Sequence, residues 1–146
     1  MSQDDHYLEL ERMYRNAPIN RIYQPRVIIR KGHAEIEMEI SENCFHPAGA
    51  VHGSVYFKML DDAAFFAANS LEREVFMLTT TFTTYLTRPV SSGVLKSVGK
   101  VVNTNNSQII AESVVYNSDG NEIGRGNGLF VRSNVALDER VGYGGK

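Results

Sequence analysis

The sequence predicts an α+β domain in which one long apolar helix lies against the concave face of a strongly curved antiparallel sheet. Three observations predict it. The stretch from Val55 to Ala68 is rich in Ala, Leu, Met and Phe and contains neither Gly nor Pro, the composition of a buried helix. Residues 33–40 alternate polar and apolar without a fault, as a strand does when one face is buried and the other wet. Beyond the helix the chain is β-branched and aromatic and is broken by short turn signals, among them Asp119-Gly120. Strands joined that tightly run antiparallel.

The elements follow in order. Residues 3–15 place Tyr7, Leu10 and Tyr14 on one helical face, and Pro18 stops that helix, which is expected to pack on the outside of the domain. Arg26 to Arg30 reads as a strand, Lys31-Gly32 as a turn and His33 to Ile40 as the alternating strand. Residues 41–51 form a loop with Pro47 and Gly49 that leads into the apolar helix. Then come strands over Val75 to Thr87, Val94 to Val102, Ser107 to Tyr116 and Glu122 to Arg132, with Pro89 and Gly93 marking a turn after the first. Residues 1–133 are expected to form one domain, with 1–18 as its N-terminal helix and linker. The polar, Gly-rich residues 134–146 read as a flexible tail.

A chain of 146 residues that is 42% hydrophobic buries a sizeable core. A net charge of −2 and a pI of about 6.1 lack the basic footprint of a nucleic-acid binder. The single cysteine, Cys44, excludes an internal disulfide and fits a reducing compartment. The polar, acidic start resembles neither a signal nor a transit peptide, and no uncharged apolar run is long enough to span a bilayer. The expected setting is the cytoplasm.

Lys58, Asp61 and Asp62 interrupt the apolar helix on one side, at spacings of three and four. Neither carboxylate sits where it caps the helix. Two readings are open: Lys58 pairs with one of them at a subunit contact, or one of them is a catalytic base.

With His52-Gly53, Asp61 nine positions after the His, and Asn69-Ser70, the chain resembles the PaaI-type (phenylacetic acid degradation) acyl-CoA thioesterases of the hotdog fold. Tyr85-Leu86-Thr87-Arg88-Pro89 is similar to that family's aromatic-Leu-Arg-Pro strand end, with Thr87 as an extra residue. The resemblance covers roughly residues 26–133. It departs from the pattern at Ser54, where the family has a second Gly, and at His46, where it has Asn; Asn43 lies three residues earlier. Two adjacent acids stand where the family has one.

The resemblance implies hydrolysis of an acyl- or aryl-CoA thioester with no cofactor beyond the coenzyme A of the substrate, and with the matching acid as general base or nucleophile. On an apolar helix the Asp61 carboxylate is poorly solvated, which raises its pKa and basicity; Asp62 is the competitor, turned about 100° around the axis. The Gly53 N–H begins the helix, where the dipole and the missing side chain suit an oxyanion site. His52 and His46 flank that site, His52 reading equally as a structural histidine. A water-orienting hydroxyl is implied at Thr79, with Thr80 as runner-up, though both also read as ordinary strand threonines. Arg88 and Lys96 are candidates for coenzyme A phosphates; Lys100 and Arg125 are weaker ones. Cys44 reads as an inert loop thiol, and no His-x-x-x-His spacing marks a metal site.

Gly53 and Asp61 lie about 12 Å apart along one helix axis, too far to act on one thioester carbon. Two antiparallel copies of the helix bring Gly53 of one beside Asp61 of the other, so a two-fold dimer interface is expected to carry the site; the resemblance adds dimers paired into tetramers. A non-catalytic acyl-CoA-binding module is the alternative function. A hydratase or dehydratase of the same fold needs a different Asp/Glu and His arrangement, which the chain lacks.

Overall fold

The computed structural model describes residues 2–144. Helix α1 (Gln3–Asn16) starts at a capping box between Ser2 and Asp5 and ends where Pro18 forces Ala17 into an extended conformation. A short helix not expected from the sequence, α2 (Asn20–Tyr23), fills the interval before Pro25; its four residues are too few for periodicity to register.

Strands β1 (Arg26–Arg30) and β2 (His33–Glu39) form a hairpin. The apolar helix, α3 (Gly53–Asn69), begins at Gly53 as expected, and the His52 side chain caps it by accepting from the Ser54 N–H. Then follow β3 (Val75–Leu86), β4 (Val94–Thr104), β5 (Gln108–Tyr116) and β6 (Glu122–Ala136). All six strands join one antiparallel sheet in the order β1-β2-β4-β5-β6-β3. Helix α3 touches every strand, so the sheet wraps it.

The segment with Pro89 and Gly93 separates β3 from β4 as expected, but the two strands are not neighbours. β3 pairs only with β6 and forms an edge. The connecting residues 87–93 instead cross the start of α3, where Val51 N–H donates to Val90 O and Tyr56 OH to Arg88 O.

Helix and sheet approach closely. A Cβ on Gly99 of β4 would stand 2.3 Å from the Ala63 carbonyl group, so only glycine fits there. Ser113 of β5 donates to Leu60 O. Asn69 joins the end of α3 to β3: its amide donates to Glu72 O and Val75 O and accepts from Met77 N–H.

The tail also differs from expectation. β6 runs on to Ala136, a 3-10 turn covers Glu139–Val141, and Tyr143 is buried. It docks because Tyr143 OH donates to Nδ1 of buried His6, whose Nε2–H donates to Asn69 O. Residues 145 and 146 lie outside the described residues.

Candidate active site

Asp61 and Thr79 come together at one wall of an open cavity of about 640 Å³ lined by α1, α2, α3, β3 and the C-terminal turn. Thr79 OH donates to Asp61 Oδ1 at 2.9 Å. A β-bulge between Thr79 and Thr81 breaks the β3–β6 register at this point, the kind of irregularity that re-aims a side chain. Thr80 is committed elsewhere, its hydroxyl donating to Leu129 O. Phe65, Phe66 and Phe76 pack edge-on or tilted, with ring centres 5.0 and 5.2 Å apart, and make the cavity apolar.

Burial pushes the Asp61 carboxyl up to about 6; the Thr79 hydrogen bond opposes the shift, the neighbouring Asp62 charge adds to it, and Lys58 opposes it. Asp62 is engaged differently. Its Oδ2 accepts from Lys58 Nζ at 2.6 Å and Tyr14 OH at 2.7 Å. Burial and the Asp62 charge hold the Tyr14 phenol protonated, well above the usual tyrosine range. The Lys58 ammonium also lies over the Tyr14 and Tyr23 rings, 5.1 and 5.2 Å from their centres. Of the two adjacent acids, Asp62 is thus paired within the chain and holds α1 onto α3, whereas Asp61 has one neutral partner. No sequence signal marks Tyr14 as the partner of Asp62, because it is distant in the chain.

Gly53, His46 and Arg88 line a different, smaller cleft of about 330 Å³ at the start of α3. The Gly53 N–H has no acceptor within the helix, and among the described residues no other hydrogen bond engages it. A Cβ at this position would come within 3.1 Å of Leu86. His46 Nδ1 accepts from Ala48 N–H, which leaves the proton of the neutral ring on Nε2. His52 is exposed and serves as the helix cap; it does not line this cleft. Asn43 and Cys44 are also outside it.

Lys96 is not brought beside Arg88. Alternate residues of β4 face the helix, Leu95, Ser97 and Gly99 inward, so Lys96 projects from the opposite face. There it pairs with Glu35 at 3.1 Å. Lys100 pairs with Glu112 and Arg125 with Glu122. Among the described residues, no three His, Cys, Asp or Glu side chains converge as metal ligands.

A profile of the thioesterase superfamily matches residues 48–123, more than half of the chain. The chain belongs to the thioesterase superfamily. The match spans α3, Gly53 and both members of the Asp61–Thr79 pair, and begins just after His46. No curated protein matches the sequence significantly. Solved structures share the fold. The Escherichia coli PaaI protein of the phenylacetic acid degradation operon superposes with a TM-score of 0.83 at 16% identity, over 92% of this chain and 97% of its own. A conserved protein from Pseudomonas aeruginosa gives 0.77 at 18% identity, over 84% and 98%. A mutant of the phenylacetic acid degradation protein PaaI from Thermus thermophilus gives 0.73 at 18% identity, over 80% and 100%. The protein therefore has the hotdog fold: one helix inside a six-stranded antiparallel sheet. None of its helices, within the described residues, is long and apolar enough to cross a membrane.

Proposed function

We propose that the thioesterase hydrolyses acyl-CoA thioesters in the cytoplasm, with Asp61 as general base or nucleophile and no cofactor beyond its substrate. The observation that carries this is the Asp61 carboxyl: half-buried in an apolar cavity, raised to about 6 and oriented by Thr79. Such a group is mostly ionised at neutral pH yet accepts a proton more readily than an exposed aspartate. In the general-base route Asp61 takes a proton from a water held by Thr79, and the oxygen bonds to the thioester carbon. The carbonyl oxygen becomes an oxyanion facing the Gly53 N–H at the positive end of α3, with His46 Nε2–H as a second donor. Collapse reforms the carbonyl, breaks the C–S bond and releases coenzyme A, whose sulfur takes up the proton. His52 positions Gly53 by capping the helix. Arg88, at the rim of the Gly53 cleft, meets a coenzyme A phosphate; Lys96, on the far face of the sheet, has no such role in one protomer.

Gly53 and Asp61 occupy separate clefts of one chain, about 12 Å apart along the helix. The site is completed when a second copy lies antiparallel along α3, Gly53 of one protomer facing Asp61 of its partner. The exposed edge of β3 and the exposed Phe57, Leu78 and Leu86 supply surface for that pairing. A panel of acyl- and aryl-CoA thioesters, followed by thiol release, tests the reading: turnover abolished by Asp61→Asn supports it. Tight acyl-CoA binding without thiol release identifies a binding module instead.

A further inference from the structure

One wall of the cavity that holds Asp61 is formed by the two ends of the chain, and they are fastened to each other. The C-terminal residues run back along α1. A Cβ at Gly142 would stand 3.6 Å from Met13 Cα, Tyr143 OH donates to His6 at 2.7 Å, and Gly144 N–H donates to a Glu9 carboxylate oxygen at 3.0 Å. His6 is fully buried, and burial holds its pKa below the usual imidazole range, which keeps it neutral and able to accept from Tyr143. The same helix is tied to α3 beside the reacting carboxylate through Tyr14 and Asp62. Met13, Ala17 and Ile19 from one end and Val141 and Gly142 from the other then form the cavity wall.

We propose that this clasp of chain ends is the size-selecting wall of the acyl site, with Ala17 and Val141 as specificity-determining residues and Tyr143 as a positioning residue. The inference rests on the thioesterase reading for the chemistry, but the wall itself is a matter of packing. Interiors are close-packed and rigid, so a wall anchored by the buried Tyr143–His6 hydrogen bond rejects an acyl group too long for the space. The ligand it selects is apolar, since Phe65, Phe66, Phe76 and Leu78 make most of the remaining lining apolar, with Lys58, Asp61, Asp62 and Arg140 as its charged residues. Ala17 and Val141 are only half-buried, so both tolerate replacement.

The test uses the full chain with two graded series: saturated acyl-CoA thioesters from two to about fourteen carbons for thiol release, and the matching S-alkyl-CoA thioethers, which cannot be hydrolysed, for affinity by calorimetry. A methylene contributes about 0.8 kcal/mol when buried, so each carbon the cavity accepts strengthens binding about fourfold, and the trend stops where the wall is met. Ala17→Leu is expected to move that break to shorter chains and Val141→Ala to longer ones, in both series. Tyr143→Phe, which removes the hydroxyl and leaves the ring, is expected to blunt the break without changing kcat on short substrates. Thioether affinities that shift as described while no thioester is hydrolysed would keep the wall and remove the thioesterase reading. Wild-type hydrolysis with the break unmoved in Ala17→Leu and Val141→Ala, both correctly folded, overturns the wall. Absence of both binding and hydrolysis overturns both.

Discussion

Thr79 of the edge strand β3 donates its hydroxyl hydrogen to Asp61 Oδ1 at 2.9 Å, and this bond ties the middle of the apolar helix to β3 at its bulge. It stabilises the carboxylate against the cost of burial. Removing it with Thr79→Val should push the Asp61 carboxyl above about 6. The acid limb of the kcat/KM profile then moves to higher pH. Turnover at neutral pH falls by about tenfold or more, given the ~1.5–3 kcal/mol typical of a hydrogen bond to a charged group. Steady-state rates across pH 5–9 check both effects; an unmoved limb with unchanged turnover removes Thr79 from the site.

Asp61→Asn should abolish most thiol release while making the fold more stable. The sign follows from the raised carboxyl. A folded-state pKa above the ordinary 3.8 means the protonated form fits the fold better. Its contribution is fully present below about pH 4 and is lost as pH rises through about 6. At pH 7 the native carboxylate is a liability on the order of 1–3 kcal/mol, which Asn relieves; below pH 4 the variant has no such advantage. Urea unfolding at pH 4 and pH 7 measures it, and a variant less stable at pH 7 would contradict the burial argument.

Asp62→Asn should do the opposite. Asp62 is bound to Lys58 and Tyr14, so its loss weakens the attachment of α1 and lowers stability by about 1–3 kcal/mol, the penalty for unpairing a partly buried charged group. Turnover persists, and because the Asp62 charge helps raise Asp61, the acid limb moves to lower pH. Lost turnover in a folded Asp62→Asn protein, with Asp61→Asn active, would reverse the assignment of the two acids.

His52→Ala removes the cap on the Ser54 N–H and should cost about 0.5–2 kcal/mol of stability. If the histidine acts only by holding Gly53 in place, the loss in kcat is modest and independent of pH, and His52→Asn, which caps equally well, restores it. A lost pH limb in His52→Ala that Asn cannot rescue would make His52 a proton carrier.

Mixed dimers report on the shared site. Gly53→Val blocks one cleft through Leu86, and Asp61→Asn disables the other. When the two inactive variants are refolded together with random exchange, half the dimers are mixed and each has one intact site of two. Thiol release should return to about a quarter of wild type. No recovery despite demonstrated exchange would mean that each chain builds its own site.

The apolar helix, the alternating β2 and the hairpins β4–β5 and β5–β6 were legible from sequence because each is set by local periodicity and turn chemistry. Asp61 and Thr79 were candidates through the family resemblance, and the structure places the two side chains in hydrogen-bond contact. The strand order was not legible. β3 crosses to the far edge because residues 87–93 bind the start of α3, a pairing between distant segments that no local pattern encodes. The docked tail escaped for the same reason: a polar, Gly-rich stretch looks unstructured until Tyr143 finds His6 at the other end of the chain. Sequence alone supplied two carboxylates on a helix and could not rank their environments. Tertiary structure made their environments different, by setting a cation and a phenol against Asp62 and leaving Asp61 desolvated with one hydroxyl, because the free energy of a buried charge depends on which partners folding brings within a few ångströms.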